Sequence, residues 1–475
     1  MNAKRRAASL LLGVLLGACA GTPASPTPVG SSPPSSSPSP TPGRTAPPTS
    51  AAMPTASLVP TAITTAAPTS TPTTSAATSA SPSASPAPSP VATPAASPVP
   101  TAAPTPSSCV ALEVHVVVAG DTLSEIARAY GTTVPSLLAA NPQITDPRLI
   151  RVGEEIVISP LDLGTLGGPY SAAEDINNRG QVVGWANTPT GYYAHAFLWD
   201  DGAMRDLGTL GGDGSWAMAI NDRGQVAGYS LIASNGTPTL GPMHAFLWED
   251  GVMTDLGSLG GRGITPLDIN ERGQVVGSAE TASGERHAFL WQDGVLTDLG
   301  TLGGTESMAS GINERGQVVG HSFTGSRTHA FLWQDGVMTD IGTFGWFGAG
   351  ATAINDRGQM ALLLSEPSGA GHAAFTDDGR VTLLGDPEGA TRGASDLNSA
   401  GQVVGWDQIG MEGGHRAFAW QDGSTTPLTA ADEFITEAHA INDCSQVVGA
   451  SAATWGTYRA VLWTTPAAST SGGDR

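Results

Sequence analysis

One short motif returns seven times in the second part of this 475-residue chain, and it limits the possible folds more than any other feature. The motif reads Ile-Asn-x-x-Gly-Gln or a close variant. Its asparagines are Asn177, Asn221, Asn270, Asn313, Asn355, Asn398 and Asn442. Successive asparagines are separated by 44, 49, 43, 42, 43 and 44 residues. A period of this size indicates a repeat architecture, in which each unit buries its apolar face against its neighbours.

Each repeat predicts four short β-strands and no helix. The third repeat shows them as "GITPLDIN", "GQVVGSA", "HAFLW" and "VLTDLG". An Asp-Gly pair joins the last two strands, and this dipeptide is a strong hairpin signal. Four-stranded antiparallel units of about 43 residues are typical of propeller blades. We therefore expect an all-β fold, a seven-bladed β-propeller of four-stranded blades over residues 160–466.

The number of hairpins predicts how the ring closes. Asp-Gly follows the third strand in six of the seven repeats, at 201–202, 250–251, 293–294, 335–336, 378–379 and 422–423. The last repeat ends at "YRAVLW" with no hairpin after it, whereas "LDLGTLGG" from Leu161 has no "HAFLW" before it. We expect this N-terminal strand to complete the last blade, which would hide a strand edge that could aggregate.

The repeats resemble the HAF repeats of bacterial extracellular proteins, from Leu161 to about Trp463. The "HAF" triplet carries the resemblance. It is altered to "HAAFTDDG" in the fifth repeat, which also has "GQMALLLS", to "HRAFAW" in the sixth and to "YRAVLW" in the seventh. The resemblance implies an extracellular location and this fold rather than any particular activity.

A second module precedes the repeats, over residues 113–159. Apolar residues at 123, 126, 127 and 130 predict one helix, "TVPSLLAAN" predicts another, and a strand flanks each end. The marks "GDTLSEIA", "YGTTVPSLLAANP" and "IRVGEEIVI" resemble the LysM domain along its whole length. That family implies binding of N-acetylglucosamine polymers such as peptidoglycan or chitin. The groove would lie between the loops Ala119–Leu123 and Asn141–Ile144.

The LysM resemblance implies seven glycan-binding residues: Gly120, Asp121, Thr122, Leu123, Asn141, Pro142 and Ile144. Asp121, Thr122 and Asn141 also suit a purely structural role, as capping and turn residues.

The N-terminus predicts export and attachment to a membrane. Residues 1–18 have a basic start and a short apolar run, which is typical of a signal peptide. "LGAC" resembles a bacterial lipobox and implies acylation of Cys19; the alternative is an ordinary secretory signal with an incidental cysteine. Residues 19–112 are dominated by Pro, Ser, Thr and Ala and predict a disordered stalk. Residues 467–475 predict a disordered tail.

Two further cysteines, Cys109 and Cys444, are candidates for a disulfide in an exported protein. The two strands of a LysM fold pair antiparallel, so Cys109 should lie near residues 159–161. These residues lead into the strand expected to complete the last blade, and Cys444 lies in that same blade. The alternative is two unrelated thiols.

Charge and motif content exclude several classes of function. Residues 161–475 carry 36 Asp and Glu against 14 Arg, a net charge of −22, so nucleic-acid binding is not expected. One histidine in each of the first six repeats, at 195, 244, 287, 329, 372 and 415, predicts a repeated hydrogen bond rather than a metal site. The tryptophans at 199, 248, 291, 333, 420 and 463 predict packing between blades. No catalytic motif, metal site or cofactor is expected.

The sequence thus predicts a lipid-anchored, extracytoplasmic binding protein associated with the cell wall. Its LysM module would hold peptidoglycan or a chitin-like glycan, and its propeller would bind a protein or another ligand. Two alternatives stay open at this point. One is an enzyme acting on wall polysaccharide, for which the inserted loop Ile232–Pro242 is the first place to look for an active site. The other is an architectural linker of the wall.

Overall fold

The computed structural model describes residues 114–130, 132–141, 143–189, 193–233, 241–385, 391–409, 414–428, 435–452 and 458–464. The predicted signal peptide, stalk and tail lie outside these ranges, as do Cys19, Cys109 and Pro142. Within the described part of the chain, no helix is long and apolar enough to cross a membrane.

The first module has the predicted order of strand, helix, helix and strand. Its elements are β1 (Val114–Val116), α1 (Leu123–Ala129), α2 (Val134–Ala140) and β2 (Glu155–Val157). β1 and β2 pair antiparallel, with Val114 opposite Val157. The module has an apolar core of its own, formed by Val117, Leu123, Ile126, Ala127, Leu137, Ile144, Ile156 and Ile158.

Each helix of this module begins at a threonine that satisfies a free backbone donor. Thr122 Oγ1 accepts a hydrogen bond from Glu125 N and donates one to the Glu125 carboxylate at 2.9 Å. Thr133 Oγ1 accepts a hydrogen bond from Ser136 N in the same way. Such caps are worth about 1 kcal/mol each.

The remainder of the described chain is β-structure, and we number the repeats 1–7 by their motif asparagines. A short strand, β3 (Leu161–Asp162), comes first. Repeats 1–4 comprise β4 (Ser171–Ile176), β5 (Val182–Asn187), β6 (Ala194–Asp200), β7 (Ala203–Gly208), β8 (Gly211–Ile220), β9 (Val226–Ile232), β10 (Met243–Glu249), β11 (Val252–Gly257), β12 (Gly260–Ile269), β13 (Val275–Thr281), β14 (Arg286–Gln292), β15 (Val295–Gly300), β16 (Ser307–Ile312), β17 (Val318–Phe323), β18 (Thr328–Gln334) and β19 (Val337–Gly342). Repeats 5–7 comprise β20 (Gly348–Ile354), β21 (Met360–Ser365), β22 (Gly371–Asp377), β23 (Arg380–Leu383), β24 (Arg392–Leu397), β25 (Val403–Ile409), β26 (Gly414–Gln421), β27 (Ser424–Pro427), β28 (Ile435–Ile441), β29 (Gln446–Ala452) and β30 (Arg459–Thr464).

Most repeats form one four-stranded antiparallel sheet with its strands in chain order. Repeats 1–5 do so separately, whereas a single bridge between His415 and Ile435 joins the strands of repeats 6 and 7 into a larger sheet. In repeat 7 the strand beside β30 is β3, with Leu161 opposite Leu462 and Asp162 opposite Val461. The strand beside β30 thus comes from the N-terminal side of the repeats.

The six Asp-Gly pairs form the predicted tight turns. The aspartates at 201, 250, 293, 335, 378 and 422 have φ between 46° and 51°, and the glycine after each one also has a positive φ. Positive φ at both central residues is the geometry of the hairpin turn that matches the twist of the two strands.

The apolar core lies between neighbouring repeats rather than within them. Phe246 and Trp248 of repeat 2 pack in one cluster with Val183 and Leu198 of repeat 1. A cluster of the same kind joins repeat 1 to repeat 7, and its members include Leu163, Phe197, Trp199, Val448 and Leu462. The tryptophans of the third strands thus pack between repeats, as predicted.

The motif asparagines link each repeat to the next. In every repeat, Oδ1 accepts hydrogen bonds from the backbone N–H groups two and four residues later, which fixes the turn. Nδ2 donates to the backbone oxygen of the next motif asparagine at 3.0–3.2 Å. The seventh of these bonds runs from Asn442 Nδ2 to Asn177 O, so the series returns to its first member.

Candidate functional site

The first predicted glycan-binding loop is held open by a compact hydrogen-bond network. Gly120 is exposed and has φ +104°, a conformation that side chains rarely adopt. The Asp121 carboxylate accepts a hydrogen bond from Val118 N at 2.7 Å, and its Oδ2 lies 2.8 Å from His115 Nε2. The bond with His115, followed by the bond from Val118, lowers the pKa of Asp121. Thr122 is exposed, and its hydroxyl is engaged with Glu125 in capping α1.

The second predicted loop begins at Asn141, whose side-chain polar atoms are all hydrogen-bonded within the module. Asn141 is completely buried. Its Nδ2 donates to Leu137 O and Val157 O, both at 2.7 Å, and its Oδ1 accepts from Val157 N and Gln143 Nε2. The Asn141 side chain therefore ties the end of α2 to β2 and leaves no polar atom for a glycan.

Two more of the predicted residues belong to the core. Leu123 and Ile144 are buried in the same apolar cluster, so both loops rest on one core. Pro142 lies outside the described residues. The surface that a glycan can reach within the predicted set consists of Gly120, Thr122 and part of Asp121, together with the loop backbone.

Most histidines of the third strands make the predicted hydrogen bond between strands. In repeats 1–4 the Nδ1 atom lies 2.8 Å from an aspartate Oδ2 of the fourth strand; the pairs are His195–Asp206, His244–Asp255, His287–Asp298 and His329–Asp340. Within the described ranges, no group of three or more His, Cys, Asp or Glu residues could hold a metal ion.

Repeats 6, 7 and 1 contain a connected group of charged and aromatic side chains that the sequence analysis did not identify. We call it the seam cluster, because it crosses from the last repeat to the first; it comprises Glu174, Trp185, Trp406, His415, Glu437 and His439. The Trp406 and His415 rings stack with centroids 4.6 Å apart. His415 Nδ1 lies 2.5 Å from Glu437 Oε1.

His439 sits at the centre of the seam cluster, between two carboxylates. Its Nδ1 is 2.8 Å from Ala173 O and 3.3 Å from Glu174 Oε2, and its Nε2 is 3.4 Å from Glu437 Oε2. Trp185 Nε1 donates to the other oxygen of Glu174 at 2.9 Å. Both ring nitrogens of His439 thus face acceptors, which requires two protons on the ring.

The charges of the seam cluster stabilise one another. Burial lowers the pKa of His439, but Glu174 and Glu437 outweigh burial and raise it well above the usual value. Burial likewise raises the pKa of Glu437, yet hydrogen bonds with His415 and His439 outweigh it and lower the pKa to about 2. An imidazolium between two carboxylates is therefore the stable state at neutral pH.

Aligning the repeats with one another would have marked three members of the seam cluster as unusual, although not their contacts. Three residues before the motif asparagine, repeats 1 and 7 have Glu174 and His439, whereas repeats 2–6 have Met218, Leu267, Ser310, Thr352 and Ser395. Five residues before it, repeat 7 has Glu437, whereas the other six have Ala172, Trp216, Thr265, Met308, Gly350 and Gly393.

A second set of carboxylates recurs two residues before the motif asparagine, in repeats 1, 3 and 6. Asp175, Asp268 and Asp396 each accept a hydrogen bond from the following backbone N–H and another from the next repeat, through Ile220 N, Ile312 N and Ile441 N. Burial raises the pKa of Asp268 to about 6 and that of Asp396 to about 7. These aspartates act as links between repeats.

Comparison with known proteins identifies the first module. Residues 115–159 match the model of the LysM domain. The chain is 43% identical over 53 residues to the endolysin of Bacillus phage PZA, which is 11% of this chain and 20% of that protein. It is 51% identical over 47 residues to the N-acetylmuramoyl-L-alanine amidase XlyA of Bacillus subtilis, which is 10% of this chain and 16% of that protein. The chain thus spans a fifth or less of the length of these curated relatives.

Among solved structures, the chain is similar to the β-propeller domain of the Trilobed protease from Pyrococcus furiosus. The TM-score is 0.44 at 13% identity, over 62% of this chain and 96% of that one.

Proposed function

We propose that this protein is an envelope-bound binding protein that holds N-acetylglucosamine polymer through its LysM module and presents a propeller to a further ligand. The match of residues 115–159 to the LysM domain is the observation that carries the proposal. The loop around Gly120 and Thr122 is exposed at the position where this family binds glycan. In this role Asn141 positions the loop backbone without contacting the sugar, whereas Asp121 positions the loop and keeps part of its surface open to the sugar.

The propeller in this proposal has seven blades, and β3 completes the last one. Support comes from the seven motif asparagines, whose hydrogen bonds run from each repeat to the next and from Asn442 back to Asn177. The first strands of neighbouring repeats also lie in contact around the whole series, including β28 with β4. Pairing of Leu161 and Asp162 with β30 supplies the fourth strand of the last blade.

The protein in this proposal is extracytoplasmic and attached to the membrane by acylated Cys19, with residues 19–112 as a spacer. LysM would then keep the folded part against the wall.

Co-sedimentation with purified sacculi tests the glycan-binding role. The mature chain should sediment with sacculi, and deletion of residues 113–159 should abolish sedimentation while the remaining β-structure melts as before. Undiminished sedimentation of the deletion variant would contradict the proposal.

A second candidate function is hydrolysis of wall polysaccharide. Glu174 and Glu437, which flank His439, are the observation that favours it, because paired carboxylates serve glycoside hydrolysis. The same sacculi experiment separates the two functions, since an enzyme releases soluble fragments whereas a binding protein only sediments.

A further inference from the structure

The seam cluster is not required by the repeat fold. The positions of Glu174, Glu437 and His439 are filled by small, apolar or neutral side chains in the other repeats, which form the same strands. Burying charged groups costs free energy even when they are paired, and apolar substitutes of similar size are often at least as stable. The chain therefore keeps a group of charged side chains whose burial costs free energy, although the other repeats fold without it. This points to a ligand rather than to folding.

The carboxylates of the cluster are held in fixed positions with acceptor capacity to spare. Each oxygen of Glu174 and of Glu437 meets one of the donors Trp185, His415 and His439. A carboxylate oxygen has two lone pairs, so each oxygen can accept one more hydrogen bond. The Glu174 side chain keeps 10% of its surface exposed and that of Glu437 keeps 24%, so both can still be approached.

The indole rings of Trp185 and Trp406 belong to the same cluster as the Glu174 and Glu437 carboxylates. The Trp406 ring lies across Gly393, where a Cβ atom would come within 2.5 Å of it, so this ring position depends on glycine. Trp185 and Trp406 are both partly exposed. In repeat 2, Trp216 stacks on Tyr229 with centroids 5.1 Å apart. Burial raises the pKa of Tyr229, and the Glu174 carboxylate adds to the effect, so the Trp216–Tyr229 pair lies within electrostatic reach of the cluster.

The combination selects against charged ligands. An anion is repelled by the two carboxylates and by residues 161–475, whose net charge is −22. A cation cannot bind between the two carboxylates, because the His439 imidazolium occupies that position. A neutral ligand with an apolar face and several hydroxyl donors suits both the indole surfaces and the fixed acceptors.

We infer that the seam cluster is a binding site for a neutral saccharide, in which Glu174 and Glu437 accept hydrogen bonds from sugar hydroxyls and the partly exposed Trp185 stacks on the sugar ring, while Trp406, packed between Gly393 and His415, holds His415 beside Glu437. The inference rests on the proposed function, since it names the ligand class of the propeller in that proposal. The site lies in repeats 6, 7 and 1 and is separate from the LysM loops.

Isothermal titration calorimetry of the mature chain tests the inference. The neutral probes are maltotetraose, cellotetraose, xylotetraose, mannotetraose and chitotetraose; the charged probes are tetragalacturonate and the glucosamine tetramer. At least one neutral probe should bind at the cluster. Chitotetraose also reports on LysM, so a second equivalent of chitotetraose per chain would count as binding at the cluster.

Glu437→Gln and Trp185→Phe probe the site with conservative changes, and Trp185→Ala removes the stacking surface. Glu437→Gln and Trp185→Ala should each weaken binding at the cluster by about tenfold or more. Trp185→Phe should weaken it less. Asp298→Asn breaks a His–carboxylate bond of repeat 3 and is the matched control, which should leave the affinity unchanged. Thermal melts show whether each variant is folded.

Three results would overturn the inference: no neutral probe binds beyond the LysM equivalent, binding survives Glu437→Gln and Trp185→Ala in folded protein, or only a charged probe binds. Chitotetraose binding and sacculi sedimentation would then still support the LysM role, so failure of the inference is distinguishable from failure of the proposed function.

Discussion

The side chain of Asn442 donates a hydrogen bond to the backbone oxygen of Asn177, 265 residues earlier in the chain, at 3.0 Å. Six other asparagines make the same bond to the repeat that follows them. The bond from Asn442 is thus an ordinary member of a series, even though it joins the two ends of the repeat region. A local motif that shapes a turn also determines how one repeat meets the next.

Replacing Asn442 with alanine should cost as much stability as replacing Asn313 in the middle of the series. Each side chain makes four hydrogen bonds, and its loss leaves buried donors and acceptors without partners. We expect each substitution to lower the free energy of unfolding by about 3 kcal/mol. Denaturant titration followed by tryptophan fluorescence measures both values under one condition.

The difference in free energy of unfolding between Asn442→Ala and Asn313→Ala tests whether the bond from Asn442 to Asn177 forms. If the bond between Asn442 and Asn177 did not form in solution, Asn442→Ala would cost about 1 kcal/mol less than Asn313→Ala, which is the usual worth of one hydrogen bond. A clearly smaller loss of stability in Asn442→Ala than in Asn313→Ala would contradict a series of hydrogen bonds that returns from Asn442 to Asn177.

Removing β3 should expose the edge of the last repeat. A fragment that begins at residue 167 lacks the pairing of Leu161 and Asp162 with β30, the bond from Leu163 N to Ala460 O, and the buried Leu163 side chain. Compared with a fragment that begins at residue 160, it should melt earlier and should associate through the free edge of β30. Equal melting temperatures and a monomer by light scattering in both fragments would show that β3 does not complete the sheet.

Much of the fold follows from local sequence signals. Asp-Gly predicts each hairpin because few other dipeptides accept two positive φ angles, and the spacing of Leu123, Ile126 and Ala127 predicts the buried face of α1. The pairing of β3 could be predicted by counting, because a repeat of four strands that lacks its last hairpin must find its fourth strand elsewhere.

The seam cluster and the bonds of the motif asparagines could not be predicted in this way. Glu174 and His439 are 265 residues apart, and they meet only because repeat 7 lies beside repeat 1. The predicted site residue Asn141 shows the opposite problem. Its position in the motif suggests contact with a ligand, yet burial and four internal bonds assign its side chain to the structure of the module.

Asp268 should make the protein less stable as the pH rises from about 4 to about 6. Burial raises its pKa to about 6 in the folded state, against about 3.9 in an unfolded chain. Between these values the folded state holds a proton that the unfolded state has lost, so unfolding becomes easier as the pH rises. The shift corresponds to about 3 kcal/mol.

Asp268→Ala should reduce this pH dependence. Alanine already fills the equivalent position in repeats 2, 5 and 7, as Ala219, Ala353 and Ala440, so the backbone tolerates it. The free energy of unfolding, measured at pH 4, 5, 6 and 7, should fall less steeply in the variant than in the parent chain. Parallel curves would show that Asp268 titrates normally in the folded protein.

Asn141→Ala should destabilise the LysM module without removing a contact to the glycan. Loss of four internal hydrogen bonds should cost about 3 kcal/mol. Sedimentation with sacculi should fall in proportion to the unfolded fraction and should recover on cooling. Asp146→Asn, which alters an exposed pair with Arg148, is the control and should change neither property. A folded Asn141→Ala module with no affinity would instead place Asn141 in the binding site.

The last prediction concerns Cys444, which is disulfide-bonded. The chain has two other cysteines, Cys19 and Cys109, and both lie outside the described residues. We predict that Cys109 is the partner, since it lies five residues before β1, and β1 pairs with the strand that leads into β3. Repeat 7, which holds Cys444, is the repeat in which β30 pairs with β3.

Such a bond closes a loop of more than 300 residues and would stabilise the chain by roughly 5 kcal/mol on the loop-entropy model. Cys109→Ser and Cys444→Ser should therefore lower the melting temperature by the same amount, and the double variant should behave like either single one, because all three lose the same bond. Peptide mapping of exported protein without reductant should recover the two cysteines in one linked peptide pair. Cys19→Ser, which removes the proposed acylation site, should leave that pair intact. A linkage between Cys19 and Cys444, or an alkylatable Cys109 in the exported protein, would rule the pairing out.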